Sequence, residues 1–168
     1  MSDPTTDPTL DRLLRHMAWA NSALIARLSE LSVDTLSLAS PQNDWAVAMI
    51  LDHLVSAAGR YAARLEGGPR PDRAESPRTT AGLAGLARDC ASYDARIRSQ
   101  AAMPDGPASY ADEASGLRAR STIVGQAIHH ATEHRAQIAA ALATNGVNGI
   151  DLDALDLWAY GDAEGLGA

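Results

Sequence analysis

The chain has 168 residues and a net charge of -7 at neutral pH, and we expect one domain over residues 1–168. Apolar residues make up 46% of the composition but aromatic residues only 4%, which favours close-packed helices over a β-sheet. The acidic balance and the lack of a basic patch in the sequence argue against nucleic-acid binding.

The cysteine content and the first residues bear on the cellular compartment. The single cysteine, Cys90, cannot form an intrachain disulfide, and its apolar surroundings predict a small core residue rather than a reactive thiol. The N-terminal segment is polar and acidic, unlike a signal peptide, and no stretch approaches the ~20 apolar residues of a membrane span. We therefore expect a cytoplasmic protein without a membrane partner.

Helix-terminal residues and apolar periodicity predict the first two helices. Asp7 followed by Pro8 is typical of a helix start, and leucines at three- and four-residue steps continue this helix to about Val33. A cluster of serine, proline, asparagine and aspartate then breaks the chain. The second helix is expected over residues 45–66 and ends at a Gly-Gly-Pro segment.

Two further long helices follow the same rules. The third is expected over residues 80–101, whereas residues 108–120 show no clear period and leave room for a short extended piece. Ser121 is predicted to cap the fourth helix, which ends at Asn145 and Gly146.

The C-terminal segment completes the predicted fold. Leu152, Leu155 and Trp158 recur at three-residue steps, which predicts a short final helix packed on the bundle. We therefore predict an all-α fold, a four-helix bundle with a short additional C-terminal helix.

Five arginines lie close together in the sequence around the end of the second helix. They are interrupted by prolines and acidic residues, so we expect them to form a solvated surface. They are Arg60, Arg64, Arg70, Arg73 and Arg78.

The fourth helix carries the strongest functional signal, because His130 and His134 are spaced four residues apart. Such a pair lies on one helix face about one turn apart, and two imidazoles placed this way can bind one metal. A metal would also remove the energetic cost of burying both rings without partners. The alternative is that they are exposed, or bonded to a carboxylate such as Glu113 or Asp44. Their stripe on the helix is Ile123, Ala127, His130, His134, Gln137 and Ala141.

A third metal ligand must come from another element. His53 lies along one edge of the apolar face of the second helix, and we expect it to supply that ligand. His16 in the first helix has no partner at i+3 or i+4. His129 is rotated by about 100° from His130, so neither His16 nor His129 is expected to bind the metal.

The same residues also match H-x-x-E-H, a zinc-peptidase signature in which the glutamate, here Glu133, is the general base. That class of peptidase is a much larger α+β protein. Only 34 residues follow His134 here, with Glu164 as their single glutamate. We therefore expect Glu133 to lie on the flank of the helix.

Three segments of the sequence resemble a known family. They are LLRHMAWANSALIARLSEL, NDWAVAMILDHLVSA and HHATEHRAQIAAAL, and their most specific element is His-x3-His-Arg-x-Gln. Together they are similar to the DinB/YfiT superfamily of small four-helix-bundle metalloproteins, and the similarity extends to Tyr160. The resemblance implies that His53, His130 and His134 hold one divalent transition metal and leave a coordination position open. It also implies a homodimer packed through helices.

The chemistry is less specific than the ligand set. Zinc suits imidazole ligands best, although nickel, manganese, iron or cobalt could occupy the same site. Several members of the superfamily use a low-molecular-weight thiol as cosubstrate, which implies an S-transferase or isomerase acting on a small-molecule substrate. A metal-dependent hydrolase that uses metal-bound hydroxide is one alternative. A non-catalytic metal-binding stress or interaction protein is another. Arg135 and Gln137 are expected to support the site or the helix packing, without a catalytic step of their own.

Overall fold

The computed structural model describes residues 7–73, 75–112 and 116–166. This part of the chain is all-α, apart from two two-residue strands. Its regular elements are α1 (Pro8–Glu30), a 3-10 helix (Val33–Ser37), α2 (Val47–Glu66), α3 (Thr80–Gln100), β1 (Pro107–Ala108), β2 (Arg118–Ala119), α4 (Arg120–Thr144), a second 3-10 helix (Asp153–Leu155) and α5 (Leu157–Ala163).

The four long helices pack in the cyclic order α1-α3-α2-α4. Each helix makes its main contacts with its two neighbours in this order, so α1 lies diagonally opposite α2 and α3 diagonally opposite α4. This arrangement places α2 beside α4 along their length. The predicted four-helix bundle is therefore confirmed, and the two helices that carry the candidate ligands are adjacent.

Two clusters of buried apolar residues form the core, and α2 and α4 contribute to both. Large aliphatic side chains dominate the first cluster, which includes Ile50 and Ile138, whereas the second is rich in alanines such as Ala58 and Ala131. Burying one large aliphatic side chain stabilises the fold by roughly 1.5–3 kcal/mol. Small residues let the helices approach closely. His53 lies among the positions of the first cluster on α2, and His130 lies among those of the second cluster on α4. His134 lies between the positions of the two clusters on α4.

The predicted beginning of α1 is confirmed at atomic detail. Asp7 accepts hydrogen bonds from the backbone N–H groups of Thr9 and Leu10 at 2.9 and 3.1 Å, and Pro8 is the first helical residue. The helix ends at Glu30 rather than near Val33. Ser32 accepts a hydrogen bond from the backbone of Asp34 and starts a 3-10 helix there, which interrupts the apolar period.

The beginning of α4 differs from the prediction. Ser121 is not the cap but the second residue of the helix, and Asp105 accepts hydrogen bonds from its backbone N–H at 3.0 Å and from its hydroxyl at 2.9 Å. Asp105 precedes β1, which pairs antiparallel with β2 just before α4. The pairing confirms the short extended piece and brings the capping carboxylate from 16 residues away. At the other end of the helix, Gly146 adopts the expected left-handed conformation, with φ of 76°.

The final helix packs on the bundle through a residue that the periodicity did not indicate. Tyr160 is buried on α1, and its hydroxyl donates a hydrogen bond to Glu164 and accepts one from Arg15. Trp158 is 83% exposed, so the expected stripe ending in Trp158 is wrong. Asp156 is extended and separates the 3-10 turn from α5, so one helical period does not continue through both. None of the helices described is long and apolar enough to cross a membrane.

The core adjoining the candidate site provides a stability test. Ile50 is fully buried one turn before His53, whereas the neighbouring Met49 is 39% exposed. Replacing Ile50 with alanine should lower the free energy of unfolding by ~2–5 kcal/mol through lost burial and a residual cavity. Met49→Ala should change it by less than about 0.5 kcal/mol. Urea denaturation of both variants measures the difference, and equal losses would contradict the described packing.

Candidate metal centre

Three histidine side chains meet between α2 and α4. The Nε2 atoms of His53 and His130 lie 3.1 Å apart, and those of His130 and His134 lie 3.0 Å apart. One ring nitrogen from each of the three lies within 4.8 Å of the other two, close enough for all three to hold a single metal ion. Sequence reasoning thus selected the three histidines that the fold brings together.

The helical period explains how α4 presents its two rings. His134 is 5% exposed, and Ile123, Ala127 and Ala141 on the same stripe are buried. His130 is partly buried and His129, one residue earlier, is exposed. The predicted stripe therefore faces the bundle, and it excludes His129 from the cluster. Asp44 is exposed and forms no described bond with these rings, while Glu113 lies outside the described residues.

The contacts among the rings are difficult to satisfy by hydrogen bonding alone. The Nε2 atom of His130 meets two other ring nitrogens, but an imidazole nitrogen carries at most one hydrogen and can donate it to only one of them. A metal accepts a lone pair from all three rings. Tetrahedral zinc with bonds of ~2.0–2.1 Å separates its ligand nitrogens by about 3.3 Å, close to the spacing observed here. The residues present therefore fit a metal.

Gln137 fixes the orientation and the tautomer of His134. The Nδ1–H group of His134 donates a hydrogen bond to Oε1 of Gln137 at 2.7 Å. With the hydrogen on Nδ1, the Nε2 atom of the neutral ring presents a lone pair toward the other two histidines. Metal-binding histidines commonly have such a partner on their second nitrogen. Gln137 therefore has the supporting role expected from the sequence.

Burial favours the neutral form of two of the three rings, those of His53 and His130, near pH 7. It lowers the pKa of His130 from 6.5 to about 4, with further contributions from the neighbouring His134 and His53. Burial is also the main reason that the pKa of His53 is lowered, followed by the proximity of His134 and Arg73. Neutral imidazole is the form that binds metals. The site is therefore ready for a cation without first releasing protons from these two rings.

A pocket of about 420 Å³ lies beside the cluster, and His53 and His130 form part of its wall. The ring of Tyr61 stands edge-on to His130, with 5.7 Å between ring centroids. Arg60 and Arg64 also line this pocket. They are only partly exposed, so their expected assignment to a solvated surface is wrong. Sequence composition missed them because the prolines and acidic residues that follow them in the chain are not part of the described lining of this pocket.

The other three arginines of that group are exposed, but one of them is also paired with a buried carboxylate. Arg70, Arg73 and Arg78 are exposed, as expected. Arg73 nevertheless forms an ion pair with the buried Asp52, with its Nε atom 2.7 Å from a carboxylate oxygen. The Arg73–Asp52 pair fixes the loop after α2 to that helix, one residue before His53.

The remaining candidates from the sequence lie apart from the cluster. His16 contacts the carbonyl oxygen of Leu155 through Nε2 at 2.8 Å and so contributes to docking of the C-terminal segment. Cys90 is 2% exposed, and burial raises the pKa of its thiol well above the usual value. It is therefore a core residue, as expected. Glu133 is exposed on the flank of α4, which does not support the peptidase motif.

A buried network of polar side chains lies next to His134, and the sequence indicated only one of its members, Arg135. Arg135 donates a hydrogen bond to Asn21 at 2.8 Å, and Asn21 donates one to Asp94 at 3.0 Å. Burial lowers the pKa of Arg135 to about 10 and raises that of Asp94. The network joins α4, α1 and α3 next to His134. Its members are far apart in sequence, so only the fold reveals Asn21 and Asp94 as partners of Arg135.

Comparison with known families agrees with this fold and this cluster. A family model described as the DinB family matches residues 1–162, nearly the whole chain. The chain belongs to the DinB family. Among curated proteins, none matches the chain at a significant level. The chemistry must therefore be inferred from the site residues themselves.

The lowered histidine pKa values predict how the metal-free protein responds to acid. The pKa of His130 is about 4 in the folded chain, against about 6.5 when unfolded, so the unfolded chain binds more protons between these values. The free energy of unfolding should therefore fall as the pH is lowered from about 6.5 to about 4. His130→Gln should reduce this fall, and His129→Gln should not. Thermal melts after chelation test this, and identical pH profiles for wild type and His130→Gln would refute it.

Proposed function

We propose that the protein binds one divalent transition metal through the Nε2 atoms of His53, His130 and His134. The observation that carries this proposal is the meeting of three ring nitrogens, two of them separated from the third by only 3.0 and 3.1 Å. The donor set is all imidazole, which suits zinc first and nickel, manganese, iron or cobalt as well. Gln137 supports the site by holding His134 in the tautomer that a metal requires.

We further propose a catalytic rather than a structural metal. Structural zinc is usually enclosed by four protein ligands, whereas catalytic sites use three and leave a position for substrate or water. Among the residues that the structure describes, the cluster contains three histidines and no fourth ligand. The adjoining pocket of about 420 Å³ supplies the space that a small-molecule substrate needs.

Thiol chemistry of the S-transferase or isomerase type is the reaction that the site supports best. A metal held by these three histidines would lower the pKa of a bound thiol and so supply a thiolate nucleophile near pH 7. The described lining of the pocket contains arginines but no carboxylate, and this charge favours an anionic nucleophile. Hydrolysis by metal-bound hydroxide is less well supported, because no aspartate or glutamate in that lining could serve as a general base. The homodimer stays a prediction.

The ligand assignment predicts the metal content of single variants. His53→Ala, His130→Ala and His134→Ala should each lose stoichiometric zinc binding, because two imidazoles leave the ion insufficiently coordinated. Elemental analysis after zinc loading and gel filtration measures this loss.

His129→Ala and His16→Ala are the matched controls. They remove an exposed imidazole from α4 and a buried one from α1, respectively, and both variants should retain full zinc occupancy. Full occupancy in His53→Ala would refute the three-ligand assignment.

The thiol hypothesis predicts selective stabilisation by one cosubstrate. Bacillithiol, mycothiol or glutathione should raise the Tm of the zinc-loaded protein, because a ligand that binds only the folded state stabilises it. The same thiol should raise the Tm of His53→Ala by a smaller amount, because this variant lacks one of the three imidazoles that would hold the zinc. Thermal-shift measurements with each thiol and its S-methyl derivative test this. Failure of all three thiols to stabilise the wild type would count against S-transfer and favour the hydrolytic alternative.

A further inference from the structure

We propose that the pocket beside the three histidines is an anion-binding subsite, in which Arg60, Arg64 and Arg118 bind a carboxylate or phosphate group of the substrate or cosubstrate. This inference rests on the proposed function, because it assigns the charge of the molecule that would reach the metal. The reactive end of such a molecule lies at the histidines, and its acidic end lies at the arginines.

The charge of the pocket differs from that of the chain. The protein carries a net charge of -7, yet the described lining of this pocket contains three arginines and no aspartate or glutamate. A concave surface with charges of one sign concentrates the electrostatic potential and attracts ligands of the opposite sign. The pocket is therefore a local concentration of positive charge in an acidic chain, and it would attract an anion.

The helical period places two of the arginines in line with a candidate metal ligand. His53, Ala57, Arg60 and Arg64 follow steps of four, three and four residues along α2, so they share one face of the helix. The rise from His53 to Arg60 is about 10 Å along the axis. Side chains on a helix lean toward its N-terminus, which directs the guanidinium of Arg60 back toward His53. A small organic acid or phosphate ester can span this interval.

Arg60 has binding capacity that the folded chain does not use. Its Nε atom is inaccessible to solvent and has no hydrogen-bond partner among the described residues. A buried donor without a partner is energetically costly, and a bound anion would remove that cost. Arginine suits this role because its planar group presents several donors that match carboxylate and phosphate oxygens.

Arg118 approaches the same pocket from another element. It belongs to β2, just before α4, and the only hydrogen bond described for its side chain is to the carbonyl oxygen of the adjacent Leu117 at 2.9 Å. In the same pocket, the guanidinium carbon of Arg64 lies 4.5 Å from the ring centroid of Tyr110, which helps to hold this side chain in place. The arginines therefore come from different parts of the chain that the fold brings together.

Arginines elsewhere in the protein show a different pattern. Several are paired with carboxylates, including Arg73 with the buried Asp52, Arg96 with Glu66 and Arg98 with Asp11. Arg60 and Arg118 form no ion pair with any carboxylate in the part of the chain that the structure describes. Structural ion pairing explains the first group but not these two. Ligand binding provides the missing negative charge.

The proposal is tested by isothermal titration calorimetry of the full, metal-free chain with succinate and, separately, with inorganic phosphate. Removing the metal prevents either probe from binding through it. We expect at least one probe to bind with a Kd below about 10 mM, and the tighter probe identifies the acidic group as carboxylate or phosphate. Neutral succinamide should not bind. If neither anion binds, the proposal is wrong.

Charge-matched variants test the assignment to these arginines. Arg60→Gln/Arg118→Gln should weaken binding of the tighter probe by at least about tenfold, and Arg118→Gln alone should weaken it less. The control Arg78→Gln/Arg88→Gln removes two exposed arginines outside this pocket and should bind as wild type. Unchanged binding in the first double variant, or an equal loss in the control, would overturn the proposal. If the double variant does not fold, unchanged binding in Arg118→Gln would overturn the role of Arg118.

The same preparations separate this inference from the proposed metal function. Zinc occupancy of the reloaded wild type is measured separately from anion binding. A loss of zinc binding would therefore contradict the metal function alone, and a lack of anion binding would contradict the subsite alone. Arg60→Gln/Arg118→Gln should still bind zinc, because neither arginine belongs to the histidine cluster.

Discussion

Contact among three imidazole nitrogens is the constraint that the surrounding structure must accommodate. Within a helical bundle, such a group is unfavourable when the rings are charged and cannot be fully satisfied by hydrogen bonds when they are neutral. Burial and mutual proximity suppress protonation of His130, and Gln137 directs the lone pair of His134 inward. These features all favour a cation at the centre of the cluster.

The bundle supplies the rigidity that this arrangement needs. α2 and α4 are neighbours in the cyclic order of helices, and apolar packing along both helices fixes their relative position. The Arg135–Asn21–Asp94 network connects α4 to α1 and α3 immediately beside His134. The three histidines are thus placed by the core rather than by loops, whereas the pocket wall includes Arg118 from the short β-ribbon. Such a division would suit the proposed metal site, because a rigid scaffold holds its histidines in place.

The sequence predicted the features that follow from local periodicity. The spacing of His130 and His134 specified their common face, and the edge position of His53 on α2 identified the third residue of the cluster. Features that depend on distant contacts were not predictable in the same way. Asp105 replaces Ser121 at the start of α4, Tyr160 rather than Trp158 anchors α5, and Arg60 lines a pocket instead of a solvated surface. In each case, the feature depends on residues of another element that is distant in the sequence.

The most direct test of the three-histidine site is X-ray absorption spectroscopy at the zinc edge of the loaded protein. The site described here predicts three imidazole ligands with Zn–N distances of ~2.0–2.1 Å and additional scattering from a non-histidine ligand at the open position. A spectrum that requires fewer than three imidazoles, or a coordination shell of carboxylate and water alone, would contradict it.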